Sequence, residues 1–457
     1  MRNLLKNISW SWNGVGYYLI YLLVFIMLWH GLSLGRYKSL RIIQNDVVSY
    51  YAYLPAAFIY KDLKFEFVPD LPPEFEGTIW TETSPNGKQT LKTSMGVAVL
   101  NLPFFGLAHI SANLLGIPAD GYTSPYHLFI LIAAISYLAA GIFYLRKILL
   151  LYFKEPIVIL SLVIIAFGTN LFYYSTAEPG MSHTYSFFLF AGFLFYTIKF
   201  HGNTKWKYAF LLGAFSALIV LVRPSNIIVA LIFVLYGLGY NFRNRINFLW
   251  KNRVKLIFIA LVAFIFLVPQ FAYWKFSTGS WLYYSYSGES FYFNHPHIID
   301  GLFSYRKGWL IYTPVMTLAL FGFIYLRKKA PELFFPVLIF LILNLYIVFS
   351  WWAWWYGGGF GARALIETYV FLALPLAALL EKLWTHKLWV KGLSLACLAF
   401  FVYLNLFQTR QYRSIQLHWD SISKELFWTS FLNNDWPENY EELLDPPDYE
   451  KALRGEE

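Results

Sequence analysis

The sequence predicts an all-α polytopic membrane protein, and three observations carry that reading. Of 457 residues, 58% are hydrophobic and only 14% charged, against roughly 25% charged in a soluble domain. Mean hydropathy is +0.48. The apolar residues gather into runs centred in 17–34, 94–115, 125–149, 156–175, 183–199, 207–221, 225–240, 254–275, 310–327, 333–350, 365–383 and 388–407, mostly near the ~20 residues that carry a helix across the hydrocarbon core. The formal net charge of +10 would suggest a polyanion partner if it sat on one soluble face. It is instead spread over connectors, so nucleic acid is not expected as a partner. The single cysteine, Cys397, lies in an apolar run and excludes an internal disulfide and any cysteine metal site.

In chain order, the first run, "YYLIYLLVFIMLWHGLSL", follows a basic N-terminal stretch with Arg2 and Lys6. It is too long for a signal-peptide core and has no small-residue cleavage site after it, so it is expected to remain as a membrane helix. Two long polar stretches interrupt the pattern, 35–93 and the tail from 408 to 457. The short runs on either side of "VRPSN" (Arg223, Pro224) predict a broken or shallow hairpin.

Basic connectors set the orientation, because short cytoplasmic loops carry the Lys/Arg excess. These are Arg2/Lys6, Arg146/Lys147/Lys154, Lys199/Lys205/Lys207, the 241–255 connector, Arg327/Lys328/Lys329 and Lys382/Lys387/Lys391. Connectors 116–124 and 176–183 lack Lys and Arg and belong on the other side. With 35–93 and 116–124 both outside, the run between them cannot span. Its Asn101, Pro103, His109 and Asn113 suit a helix lying in the outer interface. Eleven spans follow, with a cytoplasmic N-terminus and an extracytoplasmic tail. The tail carries five cations against eleven carboxylates, a net of −6, and its last part, from Pro446, is expected to be exposed and dispensable.

On this layout four polar clusters share the outer face: Asp46 in "RIIQNDVVSYYAYLPA"; Glu178 and His183 in "YYSTAEPGMSHTYSFF"; Glu289, His295, His297, Arg306 and Lys307 within 280–314; and "WWAWWYGGGFGAR", ending at Arg363. Each has a plainer reading. Individual Tyr and Trp gather at membrane interfaces because their rings are amphipathic. Glu178 could be a solvated loop carboxylate, although it stands at a membrane edge where ionisable groups mark function. The His295/His297 pair has no third metal ligand in view and reads first as loop. The turn before Arg363 lets backbone approach a ligand or simply caps a helix.

Chemistry using these parts together is attack by a hydroxyl or amine on an activated sugar phosphate. Asp46 would accept the proton, and cations or a carboxylate-held divalent metal would offset charge on the leaving phosphate. A lipid-linked donor explains a site at a membrane surface.

The order of these parts resembles the GT-C glycosyltransferases, polytopic enzymes using polyprenyl-phosphate sugars, among them protein O-mannosyltransferases, aminoarabinose transferases and oligosaccharyltransferases. In that family a long first extracytoplasmic loop carries a catalytic acid near its start and juxtamembrane helices before the second span; Asp46 and the run 94–115 occupy those places. A second acidic motif follows an aromatic pair, as in "YYSTAEPGM" with Glu178 alone. The resemblance implies a catalytic membrane module over 1–275 (its first loop 35–124), an extracytoplasmic loop 276–309, C-terminal membrane helices over 310–407 and the short acidic tail 408–457. It implies an inverting transferase of a bacterial-type inner membrane, acting on a glycan, lipid or protein acceptor. The implied roles are Asp46 as general base, Glu178 with Asp46 as ligand of a magnesium or manganese ion, His183, Arg306, Lys307 and Arg363 on the donor phosphate, and Tyr50, Tyr51, Glu289, Trp355 and Tyr356 on sugar or acceptor. Arg223 is a further phosphate candidate. Asp46 stands between Asn45 and Val47 rather than beside a second acid, so a metal-free variant with Arg or Lys on the phosphate is the other option. A lipid-linked-glycan flippase or other transporter and a non-catalytic envelope-assembly subunit are the competing classes.

Overall fold

The computed structural model describes residues 14–71, 79–240 and 242–456. Arg2, Lys6 and the 72–78 part of the first polar stretch lie outside them. The described residues are mostly helical, 67%, with almost no strand. Among them, seven helices are long and apolar enough to cross a membrane: Gly16–Ser33, Gly96–Leu114, Ser124–Leu149, Arg253–Thr278, Pro331–Phe349, Arg363–Trp384 and Leu388–Arg413. This is the architecture of a multi-pass membrane protein.

The remaining apolar runs are shorter or interrupted for local reasons. The 156–175 run is divided into Glu155–Phe167 and Leu171–Thr176, because "GTN" at 168–170 opens the helix. Asn405 Nδ2 donates to the freed carbonyls of Phe167 (2.8 Å) and Thr169 (2.9 Å), which satisfies backbone that lipid could not. At "VRPSN" the Trp206–Val222 helix ends at an extended Arg223 and continues as a 3-10 turn, Pro224–Val229, then Ala230–Leu235. Here Ser94 Oγ bonds the Leu221 carbonyl at 2.7 Å. Thr313 and Pro314 separate Trp309–Tyr312 from Val315–Lys329.

The Arg363–Trp384 segment is the axis of the bundle, with 94% of its apolar window buried, whereas Arg253–Thr278 and Leu388–Arg413 are only 17% buried and form the periphery. Close approach at the axis depends on Gly322, where a methyl group would collide with the Pro375 carbonyl, a small-residue contact of the kind that packs membrane helices.

Gly96–Leu114 packs on the first half of Ser124–Leu149 in the opposite direction. Tyr137 donates to the Leu100 carbonyl at 2.7 Å, and His109 Nδ1 meets the Tyr126 hydroxyl at 2.7 Å. Its first residue, Gly96, lies against Leu221 and Val222, roughly 21 Å along that helix from Lys207 at 1.5 Å per residue.

The longer polar segments between helices collect at one end. A hairpin (Glu82–Thr83 with Gln89–Thr90) is pinned by Ser84 Oγ to the Ser277 carbonyl, 3.0 Å. The tail crosses the same end: Arg306 Nη1 donates to the Asp420 carbonyl at 2.9 Å, and residues 422 and 444 pair as an antiparallel bridge. From Pro446 most side chains are exposed, as expected, but this end keeps contacts with the rest of the molecule. Tyr449–Arg454 is a helix whose Ala452 is 2% exposed, and Tyr449 Oη bonds Asp420 Oδ2 at 2.7 Å. Apolar side chains at every third or fourth position give even this polar tail a face to bury.

Candidate functional site

A cavity of about 650 Å³ opens at this end of the bundle, within the size range of small-molecule sites. Five helices place one end on its wall and Lys or Arg at the other. Ser182 and His183 begin Ser182–Gly202, which ends near Lys199; Val222 closes Trp206–Val222, which Lys205 caps; Trp274 lies near the end of Arg253–Thr278. Ile347 lies near the end of Pro331–Phe349, which follows Lys328 and Lys329, and Arg363 leads into Tyr369–Trp384, which ends near Lys382.

Asp46 sits on this wall because of the turn before it. Asn45 takes φ +51° and ψ −132°, a region that strains a residue with a side chain, and Trp80 Nε1 holds its carbonyl at 3.2 Å. The turn starts the short Asp46–Tyr51 helix with the carboxylate facing Arg363: Nη2 to Oδ2 is 3.1 Å, Asp46 being 46% exposed and Arg363 14%. The glycine-rich loop delivers Arg363. Gly357 and Gly361 both take φ +60°, open only to glycine at low cost, and the loop is tied down by its neighbours. Tyr174 Oη accepts from Phe360 N (2.8 Å), Asn170 Nδ2 donates to the Phe360 carbonyl (3.0 Å), and Lys307 Nζ donates to the carbonyl of Gly359.

A second polar group adjoins the first. Glu367, 2% exposed, receives Arg223 Nη1 on Oε1 at 3.2 Å and faces His183 Nδ1 at 3.4 Å; Asn226 Nδ2 stands 3.5 Å from Oε1. Sequence reasoning missed Glu367. Its signal was present: a lone carboxylate at the start of an apolar run, where ionisable groups need a partner.

Of the sequence-derived candidates, Asp46, Tyr50, His183, Arg223, Glu289, Tyr356 and Arg363 line the cavity. Five others are placed behind or beside it. Tyr51, next to Tyr50 on the same helix and therefore about 100° around it, turns away and donates to the Gly121 carbonyl at 2.5 Å. Glu178 accepts from Tyr173 Oη at 2.8 Å and acts on Arg363 and Lys307 from behind the wall. Lys307 is buried against the carbonyls of Gly359 and Trp419, and burial, with the neighbouring Arg363 charge, pushes its ammonium down to about 7. Arg306 reaches Asp445 Oδ2 at 3.2 Å, and with His297 it lines a separate pocket of about 480 Å³. Trp355 is buried between Arg306 and Tyr449. Arg306, Lys307 and Trp355 therefore build the loop scaffold rather than the cavity surface.

The donor set does not fit a metal shared by Asp46 and Glu178. One is engaged by a guanidinium and lines the cavity, the other by a phenol behind the wall, and the described residues contain no group of three His, Cys, Asp or Glu that could hold an ion. Among the described residues His295 and His297 belong to no group of three possible metal ligands; His297 faces Asp300 at 3.4 Å. What the arrangement offers is a solvent-reached carboxylate, two guanidinium groups and an imidazole around one end of a cavity walled elsewhere by aromatic rings. No protein-family model and no curated protein matches the chain.

Proposed function

We propose that the protein is an inverting glycosyltransferase of the GT-C type, moving a sugar from a polyprenyl-phosphate donor to an extracytoplasmic glycan, lipid or protein acceptor. One observation carries the reading: a half-exposed carboxylate, Asp46, held against a partly buried Arg363 in a cavity at the bundle end opposite the Lys/Arg connectors. By the positive-inside rule that end faces away from the cytoplasm, which in a bacterial-type inner membrane is the side of lipid-linked sugar acceptors. Ile227, Ile347, Phe293 and Trp274 on the cavity wall suit a donor whose isoprenoid chain stays in the bilayer.

In the proposed step the acceptor oxygen or nitrogen attacks the sugar's anomeric carbon from the face opposite the phosphate. The C–O bond to phosphate breaks, its electron pair leaves with the polyprenyl phosphate, and the acceptor's proton passes to Asp46. One displacement inverts the anomeric centre. Arg363 and Arg223 offset the charge on the departing phosphate in a partly dry site, where fixed cations act strongly. No step passes through a metal.

One feature favours the transporter reading. The helix break at Arg223 and Pro224 lines this cavity, and transporters place broken helices at their binding sites. The two separate in proteoliposomes given a radiolabelled polyprenyl-phosphate sugar and an extract of envelope acceptors. The transferase releases unglycosylated polyprenyl phosphate and labels the acceptor. Movement of intact donor between leaflets without sugar transfer would overturn the reading.

A further inference from the structure

Another charged pair stands on the cavity wall, among aromatic rings. Lys92 is ion-paired with Glu289, and the pair is held in place: Trp352 Nε1 donates to Glu289 Oε2 at 3.1 Å, and Lys92 Nζ lies 5.0 Å over the Tyr286 ring. The two side chains remain about a fifth exposed, 24% and 18%. Tyr449, from the C-terminal helix, reaches the same wall with its ring 6.1 Å from Trp352. Tyr286 lies within electrostatic reach of both Asp46 and Glu289.

We infer that Lys92, Glu289 and Trp352, with the rings of Tyr286 and Tyr449, form a subsite for an uncharged, hydroxyl-rich pyranose ring. A carboxylate and an ammonium side by side present acceptors and donors to neighbouring hydroxyls while cancelling each other's charge, so neither an anionic nor a cationic group is preferred. Charge-assisted hydrogen bonds are the strong ones. Flat indole and phenol faces match the C–H face of a sugar through dispersion and weak C–H contacts. A peptide is the ligand this wall does not suit. The segments that would have to pair with one already pair with each other: Tyr292 N donates to the Ser350 carbonyl at 2.6 Å and Trp352 N to the Ser290 carbonyl at 3.1 Å, bridging Phe291 and Trp351. The facing edges of these two segments are therefore not open to a peptide that would bind by strand addition. Calling this saccharide the acceptor rests on the transferase reading; the subsite itself does not.

The test is saturation-transfer NMR on the full-length protein in nanodiscs, with a panel of methyl hexopyranosides and a panel of N-acetylated tetrapeptide amides as probes. Ring C–H protons of at least one pyranoside should receive saturation. Binding should weaken about tenfold or more in Glu289→Gln, which keeps the side-chain shape but removes a charged hydrogen-bond partner, and likewise in Lys92→Met. Absence of pyranoside binding, pyranoside binding indifferent to both variants, or Glu289-dependent binding of the peptides alone would each overturn the inference. Glu289-dependent pyranoside binding by a protein that transfers no sugar would sink the transferase reading and leave the subsite standing. Sugar transfer without pyranoside binding would do the reverse.

Discussion

Lys307 is buried against backbone carbonyl oxygens, and this gives the loop that carries Arg363 a pH dependence. In the folded chain its ammonium gives up its proton near pH 7, whereas an ordinary lysine holds it to 10.5. Between those values the unfolded chain binds more protons, so this residue's contribution to stability rises as pH increases from about 7 and is least below it. Thermal melting of wild type and Lys307→Met between about pH 6.5 and about pH 9 tests this, because only the wild type should gain stability from that titration. Parallel melting curves across the range would contradict it. At the same scale, His183 and Arg363 were legible in the sequence as polar residues at the edges of apolar runs, and Asp46 and Glu289 as carboxylates in the polar segments between runs. Which of two adjacent residues faces the cavity was not. Tyr50 and Tyr51 are chemically alike, and only the packing of their helix separates them; Arg306 and Lys307 have a cation's chemistry but spend it on carbonyls contributed by segments more than 50 residues away.

Among the elements, the long helices were readable from hydropathy because apolar length is a local property. The interruptions were less so: "GTN" at 168–170 opens a helix only because Asn405, far along the chain, satisfies the freed carbonyls. The contacts of the C-terminal helix were not legible for the same reason, its partners Trp352, Trp355 and Asp420 all lying upstream. Ending the chain at Asp445 should therefore cost about 1 kcal/mol of stability, the scale of the lost Tyr449–Asp420 hydrogen bond, and lower the thermal midpoint. An unchanged midpoint would show this end to be dispensable. Gly96–Leu114 qualifies as a span by length and composition, yet it begins at cavity level and runs away from the basic helix ends. With Cys397 replaced, single cysteines at Asn86, Asn113 and Ser290 should react with an impermeant thiol reagent from one side, and one at Asn244 only from the other. Labelling of Asn86 and Asn113 from opposite sides would make this helix a true crossing and move 116–124 away from the cavity face.

For the molecule as a whole, the helices point their basic ends one way and their cavity-lining ends the other, and the polar segments 34–71, 79–93, 279–308, 350–362 and 414–456 gather at the latter. That polarity was present in the sequence as alternation of Lys/Arg-rich and Lys/Arg-free connectors; the cavity itself, assembled from stretches scattered between Asp46 and Tyr449, was not. On the proposed mechanism Asp46 accepts the acceptor's proton during sugar transfer. Asp46→Asn keeps the size and the hydrogen-bonding reach toward Arg363 but removes the basic carboxylate. The most direct measurement is release of polyprenyl phosphate from a labelled donor by purified wild type and Asp46→Asn at equal protein yield. Turnover should fall by about 10² to 10⁴, the span typical of a lost acid/base group, with donor binding retained; turnover near the wild-type rate would rule out Asp46 as the base.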